Sequence, residues 1–358
     1  MKGIILHGGA GTRLKPLTFT GPKQFIPVAN KPISQYVLED LVNAGIREVA
    51  IVLGTVYPEK VREYYDDGSK FGAKITYVNQ DAPKGIAHAV KLCEALIGND
   101  RFVVYLGDNL IKGGIISYVR KFEKDKKLDA MALLTQVKDP SRFGVAQFDS
   151  SGKLVRLIEK PKEPPSNYAL SGIYFFSSTI FKMIANLTPS WRGELEITDA
   201  IQMLIDNKYN VSYDVIHGWW KDTGKAEDII EANRLILDEI KPTIIGEVED
   251  ESSTQGRISL GKNSVVKKGA IVRGPSIIGE NSIIESPVYI GPYTSIGNNC
   301  NIKRGEIENS IVMEGCVIDV QERIVDSLIG SNSKILSNDS TMLKGRRFIL
   351  GESSSVIL

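Results

Sequence analysis

Over residues 1–240, short apolar runs alternate with amphipathic stretches. Ile4–Leu6, Glu48–Leu53, Ile75–Val78, Phe102–Leu106 and Met131–Val137 have the length and the aliphatic content of strands. Between them, Tyr36–Ala44, Glu59–Tyr65, Ala87–Leu96 and Ile115–Lys124 repeat their apolar positions at helical spacing. The alternation predicts an α/β domain, a mostly parallel sheet with helices on both faces. Ligands of such sheets bind at the carboxyl ends of the strands. Ala226–Asp238 reads as a last helix, and Lys241-Pro242 ends it.

After that the period changes. Leu260, Val266, Val272, Ile278, Ile284, Ile290, Ile296 and Ile302 recur every six residues, and Gly261, Gly279, Gly297 and Gly315 every eighteen. This is the hexapeptide pattern of a β-helix, with three hexads to a coil and the aliphatics stacked inward at a rise of about 4.8 Å per coil. The phase slips at Glu308 and restarts at Val312, Ile318 and Ile324, so a loop or bulge is expected near 303–310. The expected division is therefore 1–240 for the α/β domain and 241–358 for the repeat.

Composition narrows the function without naming it. A chain of 358 residues with 42% hydrophobic and 24% charged positions has ordinary globular content and room for two cores. Its net charge of +1 and its lack of basic runs interleaved with aromatics give no support to nucleic-acid binding. The first apolar run, Ile4 to Leu6, is too short for a signal-peptide core, and no stretch has the length of a membrane span. Cys93, Cys300 and Cys316 form no close ligand pair or disulfide framework, which suits a reducing cytoplasm.

The candidate chemistry begins directly after the first strand, in Gly8-Gly9-Ala10-Gly11-Thr12-Arg13 and the Pro22-Lys23 that follows. Glycines there allow a sharp turn whose amides face outward, a cradle for phosphate oxygens. Arg13 adds a planar cation and Lys23 a point charge. The segment lacks the Gly-Lys-Ser/Thr of a P-loop, and Leu14 stands where a dinucleotide fingerprint needs its third glycine. It reads as a triphosphate site of another kind.

This loop resembles the signature of sugar-1-phosphate nucleotidyltransferases, and among them the glucose-1-phosphate thymidylyltransferases. Asn79-Gln80-Asp81-Ala82-Pro83-Lys84-Gly85, Leu106-Gly107-Asp108-Asn109, Ile158-Glu159-Lys160-Pro161, Gly193-Glu194-Leu195-Glu196-Ile197-Thr198-Asp199 and Trp220-Lys221-Asp222-Thr223-Gly224 follow in the family's order, so the resemblance covers nearly the whole chain. It implies a Rossmann-like mixed sheet followed by a left-handed β-helix. The implied reaction joins a sugar 1-phosphate to the α-phosphorus of dTTP and releases pyrophosphate. One departure is His7, where many relatives carry a small Ala; it bears on how closely a base or ribose packs.

The resemblance also assigns roles. Asp108 and Asp222 reach one Mg²⁺, a usual pairing of two carboxylates with phosphate oxygens. Arg13 meets the β,γ-phosphates, Lys23 the α-phosphate and Lys160 the sugar phosphate. Gly8, Gly9, Gly11, Thr12, Gln24, Gln80 and Gly85 form the nucleotide side, with Gln80 reading the base. Gly144, Glu159, Gly172 and Glu196 form the sugar side. Thymine and uracil share the edge a glutamine reads, and a hydrophobic pocket rejects a missing methyl by only about 1–3 kcal/mol, so both dTTP and UTP are expected to serve.

Three other readings remain at this point. One is a nucleotidyltransferase using UTP or an N-acetylhexosamine 1-phosphate. Another is a bifunctional enzyme with an acyltransferase on the repeat, against which His7, His88 and His217 all precede the repeat. The last is a regulatory paralogue, against which Arg13, Lys23, Asp108, Lys160 and Asp222 are all present. Prisms of this kind associate around a threefold axis, so a homotrimer or other homo-oligomer is expected.

Overall fold

The structure, a computed structural model, describes residues 1–9, 11–337 and 356. The chain forms two compact units that interleave in sequence. The first holds Met1–Gly11, Thr20–Gln24 and Ile33–Asp222; the second holds Thr12–Phe19, Phe25–Pro32 and the chain from Thr223 onward.

The first unit is built on a nine-stranded sheet. Lys2–His7 lies at its centre, parallel to Glu48–Leu53 on one side and Phe102–Leu106 on the other, and Glu48–Leu53 is parallel to Lys74–Asn79. This half matches the apolar runs of the sequence, and its three inner strands are buried on both faces as runs without alternation require, whereas the edge strand Lys74–Asn79 is partly exposed. The other half departs from a mostly parallel sheet. Tyr168–Phe176 runs antiparallel to Phe102–Leu106, to Ala130–Gln136 and to Gly144–Phe148, which pairs in turn with Leu154–Glu159. Val211–Val215 lies parallel to Ala130–Gln136 on the same sheet, so the sheet is mixed. Helices Ile33–Asn43, Pro58–Tyr65, Ile116–Lys124 and Ile197–Asp206 each bury an apolar side. The stretch expected as one helix over Ala87–Leu96 forms two, Ile86–Lys91 and Glu94–Ile97, parted at the exposed Leu92 and the buried Cys93.

The mixed sheet places two loops side by side. Leu6 and Leu106 are register partners on adjacent parallel strands, so the glycine loop after His7 and the turn at Gly107-Asp108 leave the sheet at the same edge. Gly107 keeps them close: its N–H donates to the Leu6 carbonyl at 2.9 Å, and a Cβ there would sit 2.9 Å from the same oxygen.

In the second unit, three short strands recur along the chain and each pairs in parallel with its counterpart one repeat later. Ser276–Ile278 pairs with Ile258–Leu260 and Thr294–Ile296, Ile283–Ile284 with Val265–Val266 and Asn301–Glu308, and Val288–Ile290 with Ile271–Arg273 and Asn301–Glu308. The region is consistent with a parallel β-helix. All eight aliphatics of the hexad series are buried, none above 1% exposed. The phase slip is a shortened repeat carried by bulges. Ile278 faces Ile296, eighteen residues on, whereas Ile290 faces Ile307 after seventeen and Ile302 faces Ile318 after sixteen. Asn301–Glu308 runs through the first part of 303–310 as one strand with register shifts on either side of Arg304, and Gly305 takes φ +119°.

The second unit also contains early segments of the chain. Asn233 accepts from the Ala29 N–H at 2.8 Å and from Ser295 Oγ at 2.7 Å, while Asn30 Nδ2 donates to the Ile296 carbonyl at 2.6 Å. Among the described residues no helix is long and apolar enough to cross a membrane.

Candidate active site

The charged centre of the first unit is a buried ion pair. Lys23 Nζ pairs with Asp108 Oδ2, and Asn109 Nδ2 donates to Asp108 Oδ1 at 3.0 Å. Burial alone would raise the Asp108 carboxyl, but the Lys23 ammonium and the Asn109 amide outweigh it and hold the group below the usual carboxylate range. Asp222 arrives by strand pairing. Trp220–Asp222 runs antiparallel to Asn109–Ile111, with Asp222 directly opposite Asn109, the residue after Asp108. Two carboxylates 114 positions apart in the chain are thereby brought to one turn.

These residues fit a hard divalent cation. Asn109 Oδ1 is buried without a hydrogen-bond partner among the described residues, which adds an oxygen donor beside the two carboxylates. No group of three or more His, Cys, Asp or Glu suited to a metal occurs among the described residues. Two carboxylates would leave the other positions to phosphate oxygens and water, as magnesium prefers.

On the nucleotide side, Gly8 and Gly9 leave the first strand, with Gly9 at φ +99° beside the Lys23 side chain, 3.7 Å from its Cε to a Cβ built at Gly9. Gln24, 1% exposed, donates from Nε2 to the Gly8 carbonyl at 3.0 Å, and its Oε1 is buried without a partner among the described residues. Gln80 faces Gly8 with Oε1, while its Nε2 reaches the Gly85 carbonyl at 3.2 Å and His88 Nδ1 at 3.0 Å. Gly85 takes φ +98° and packs so tightly on the backbone of Leu195 that a Cβ would lie 2.4 Å from its oxygen. Gly11 ends this part of the first unit at φ +59°; Thr12 and Arg13 open the second unit in a short 3₁₀ helix with both side chains exposed. His7 is buried against Tyr65, ring edge to face at 6.2 Å, and burial drops its pKa to about 3 despite the nearby Asp108. It is neutral at pH 7.

The sugar-side residues form a second cluster. Glu159 is opposite Gly144 in the strand pair, and Thr198 Oγ1 donates to Glu159 Oε2 at 2.6 Å. Gly144 is necessary at this point, since a Cβ would meet Leu170 at 2.7 Å and Thr198 Oγ1 at 3.0 Å. Glu196 closes the cluster, accepting from Ser190 Oγ at 2.8 Å. Lys160 is exposed, its Nζ 3.9 Å from Glu159, and it takes φ +44°, a backbone state that costs a non-glycine residue energy. Gly172, at φ +81°, lies where Tyr168–Phe176 shifts register against its neighbour, close to Leu106 and Asn109.

Arg192 and His88 are absent from the sequence-derived set. Arg192 lies 3.4 Å from Glu159, 2.6 Å from Glu194 and 3.8 Å from Glu196, so one guanidinium serves three carboxylates. Its position next to Gly193-Glu194-Leu195-Glu196 was the available signal.

A glycine loop, a lysine–aspartate pair and a second aspartate share one edge of the mixed sheet, and comparison with known proteins gives the class of protein. A profile described as nucleotidyl transferase matches residues 2–239, and one described as the GMPPB C-terminal domain matches 272–356. The chain belongs to the nucleotidyl transferase family. It is 47% identical over 358 residues to the low-salt glycan biosynthesis nucleotidyltransferase Agl11 of Haloferax volcanii, covering all of both chains. It is 46% identical over 356 residues to a glucose-1-phosphate thymidylyltransferase of Streptomyces antibioticus, covering 99% of each. Among solved structures, a Bacillus anthracis protein assigned as a glucose-1-phosphate thymidylyltransferase, crystallised with sucrose, is 42% identical with a TM-score of 0.62, over 66% of this chain and 94% of that one.

Proposed function

We propose that the protein transfers the thymidylyl group of dTTP to glucose 1-phosphate, giving dTDP-glucose and pyrophosphate. The observation that carries this reading is the Lys23–Asp108 pair at the carboxyl edge of the sheet, with Asp222 opposite Asn109 in the strand register and Gln80 facing Gly8. It is supported by full-length similarity to a named thymidylyltransferase.

The attacking phosphate oxygen is already an anion, so no general base is required. The barrier is electrostatic, one anion approaching another, and the residues present are of the type that lowers it. Arg13 takes the β,γ-phosphates, where charge gathers as pyrophosphate leaves. Lys23 takes the α-phosphate and attacking oxygen, and Lys160 the sugar phosphate. Glu159 and Glu196 accept from sugar hydroxyls, held in place by Thr198, Ser190 and Arg192. Asp108 and Asp222 would hold Mg²⁺, which when bound polarises the α-phosphoryl group and screens the leaving pyrophosphate. On the base, Gln80 Oε1 is the free end of the amide and suits the N3–H of thymine or uracil. UTP is accordingly a second, poorer substrate.

Pyrophosphate release measured over a panel of nucleoside triphosphates and sugar 1-phosphates tests the reading. The largest kcat/KM should belong to dTTP with glucose 1-phosphate; preference for an N-acetylhexosamine 1-phosphate would overturn it.

The second unit is read as an assembly element, a left-handed β-helix that joins a homotrimer. Ile271 and Ile283 stand 40% and 37% exposed on its outer faces, which supports burial against other copies. Cys93, Cys300 and Cys316 are buried and unpaired, in keeping with a cytoplasmic enzyme.

A further inference from the structure

We propose that His88 is a positioning residue that fixes which end of the Gln80 amide meets the nucleotide base, so that the site selects bases carrying a ring N–H. This rests on the reading above that Gln80 faces the base.

The Gly85 carbonyl can only accept a hydrogen bond. It lies 3.2 Å from the Gln80 amide, so the amide nitrogen must occupy that side. The carbonyl itself has little freedom: the Leu195 N–H donates to Lys84 at 2.8 Å, Ala87 donates back to Leu195 at 3.1 Å, and Gly85 is pressed on the same backbone. The second hydrogen of the Gln80 amide points at His88 Nδ1, 3.0 Å away. An amide nitrogen has no lone pair to offer, so Nδ1 must be bare and the ring proton must sit on Nε2. With both hydrogens held, Oε1 is the end left beside Gly8, 3.6 Å from a Cβ built there. An acceptor in that place attracts the N3–H of thymine or uracil and repels the N3 lone pair of cytosine.

Protonation of His88 reverses the logic. A proton on Nδ1 would face the amide hydrogens of Gln80, donor against donor. Turning the amide over would satisfy His88, but it breaks the bond to Gly85 and puts the amide hydrogens toward the base, the arrangement that cytosine accepts. The surroundings keep the ring neutral. Partial burial lowers its pKa below 6.5, and Lys84 and Lys91 lower it further against the opposing Asp81, which is itself paired with Lys84 at 3.0 Å.

The test is the ratio of kcat/KM for dTTP to that for dCTP, with glucose 1-phosphate as acceptor, in the full-length protein. At pH 7.5, His88→Arg places a permanent donor beside Gln80 and should reduce the ratio about tenfold, the effect of reversing one hydrogen bond. His88→Gln can still accept and should keep the ratio within about threefold of wild type. The wild-type ratio should fall as pH drops from 8 to 5.5, and that of His88→Gln should not. Calorimetric titration with dTTP and dCTP reads the same preference without turnover. Nucleotide binding with this pattern but no pyrophosphate release would overturn only the proposed reaction. Turnover with a ratio unmoved by His88→Arg, or with equal pH dependence in wild type and His88→Gln, would overturn only the role of His88. Binding of neither nucleotide would overturn both.

Discussion

Lys23 and Asp108 are 85 residues apart in sequence and joined in one ion pair, with side chains only 17% and 10% exposed. Breaking such a pair from one side strands the other charge in a poor solvent. Lys23→Met should therefore destabilise the protein by about 3 kcal/mol, measured by urea unfolding, and abolish most activity. Asp108→Asn added to Lys23→Met should restore much of the stability and none of the activity. The pair holds the Asp108 carboxyl below its usual range, so its contribution to stability is complete above about pH 4 and is lost only as pH falls through the lowered value.

If Asp108 and Asp222, the latter opposite Asn109, hold the proposed metal, activity depends on it. Pyrophosphate release should stop in EDTA and return with Mg²⁺ or Mn²⁺. Asp222→Asn should fall at least about a hundredfold in kcat while melting near wild type, since this group is half-buried at a strand end. Full activity of Asp222→Asn, or of the wild type in EDTA, would refute the metal role.

Arg13 and Lys160 should separate kinetically. If Arg13 acts where charge develops, as proposed, Arg13→Ala should lower kcat about a hundredfold with a smaller change in KM for glucose 1-phosphate. If Lys160 binds a charge already present in the ground state, Lys160→Ala should raise that KM by about tenfold and spare kcat. The opposite pattern would exchange the two roles.

The parts of the fold visible in sequence were those in which a single segment dictates its own environment. Each aliphatic of the hexad series must face the interior of its own coil, so the spacing sufficed. The central strands were visible because burial on both faces leaves an unbroken apolar run. Tyr168–Phe176 was harder. Its antiparallel pairing with three strands from distant parts of the chain turns the sheet mixed, and no local feature announces partners so far away. The same holds in the site. The family motifs pointed to Gln80 and Glu159, but Arg192 and His88 acquire meaning only when Glu159, Glu196 and Gln80 converge on them.

In its proposed sugar-binding role, Glu196 would link sugar binding to pH. Its carboxyl is raised above the usual range, first by burial and then by Glu159 and Glu194, against the opposing Ser190 hydrogen bond and Arg192. A raised acid protonates early, so KM for glucose 1-phosphate should climb as pH falls toward that value while kcat changes less. Glu196→Gln should give a high KM that is flat with pH. The fold itself disfavours the ionised group, so stability is gained rather than lost as pH falls through the same window, and Glu196→Gln should melt no lower than wild type.

The second unit gives the last test. Its early segments, Thr12–Phe19 and Phe25–Pro32, cluster with the chain from Thr223 onward rather than with the sheet. Asn30 donates to the Ile296 carbonyl, so the repeat anchors part of the segment that follows the phosphate loop. A chain ended at Lys241 keeps Asn233, the acceptor for Ala29, but loses that anchor and the stacked strands. If the repeat joins the subunits, light scattering should show the truncated chain as a smaller species than the full-length protein. Its melting temperature should fall, because Thr12–Phe19 and Phe25–Pro32 lose most of the unit they cluster with. Asn30→Ala in the full-length chain separates the two effects. It should keep the oligomer and lower the melting temperature by less than truncation does, since only the local anchor is removed. An unchanged mass after truncation would refute assembly through the repeat, and an unchanged melting temperature of Asn30→Ala would refute the anchoring of Phe25–Pro32 by the repeat.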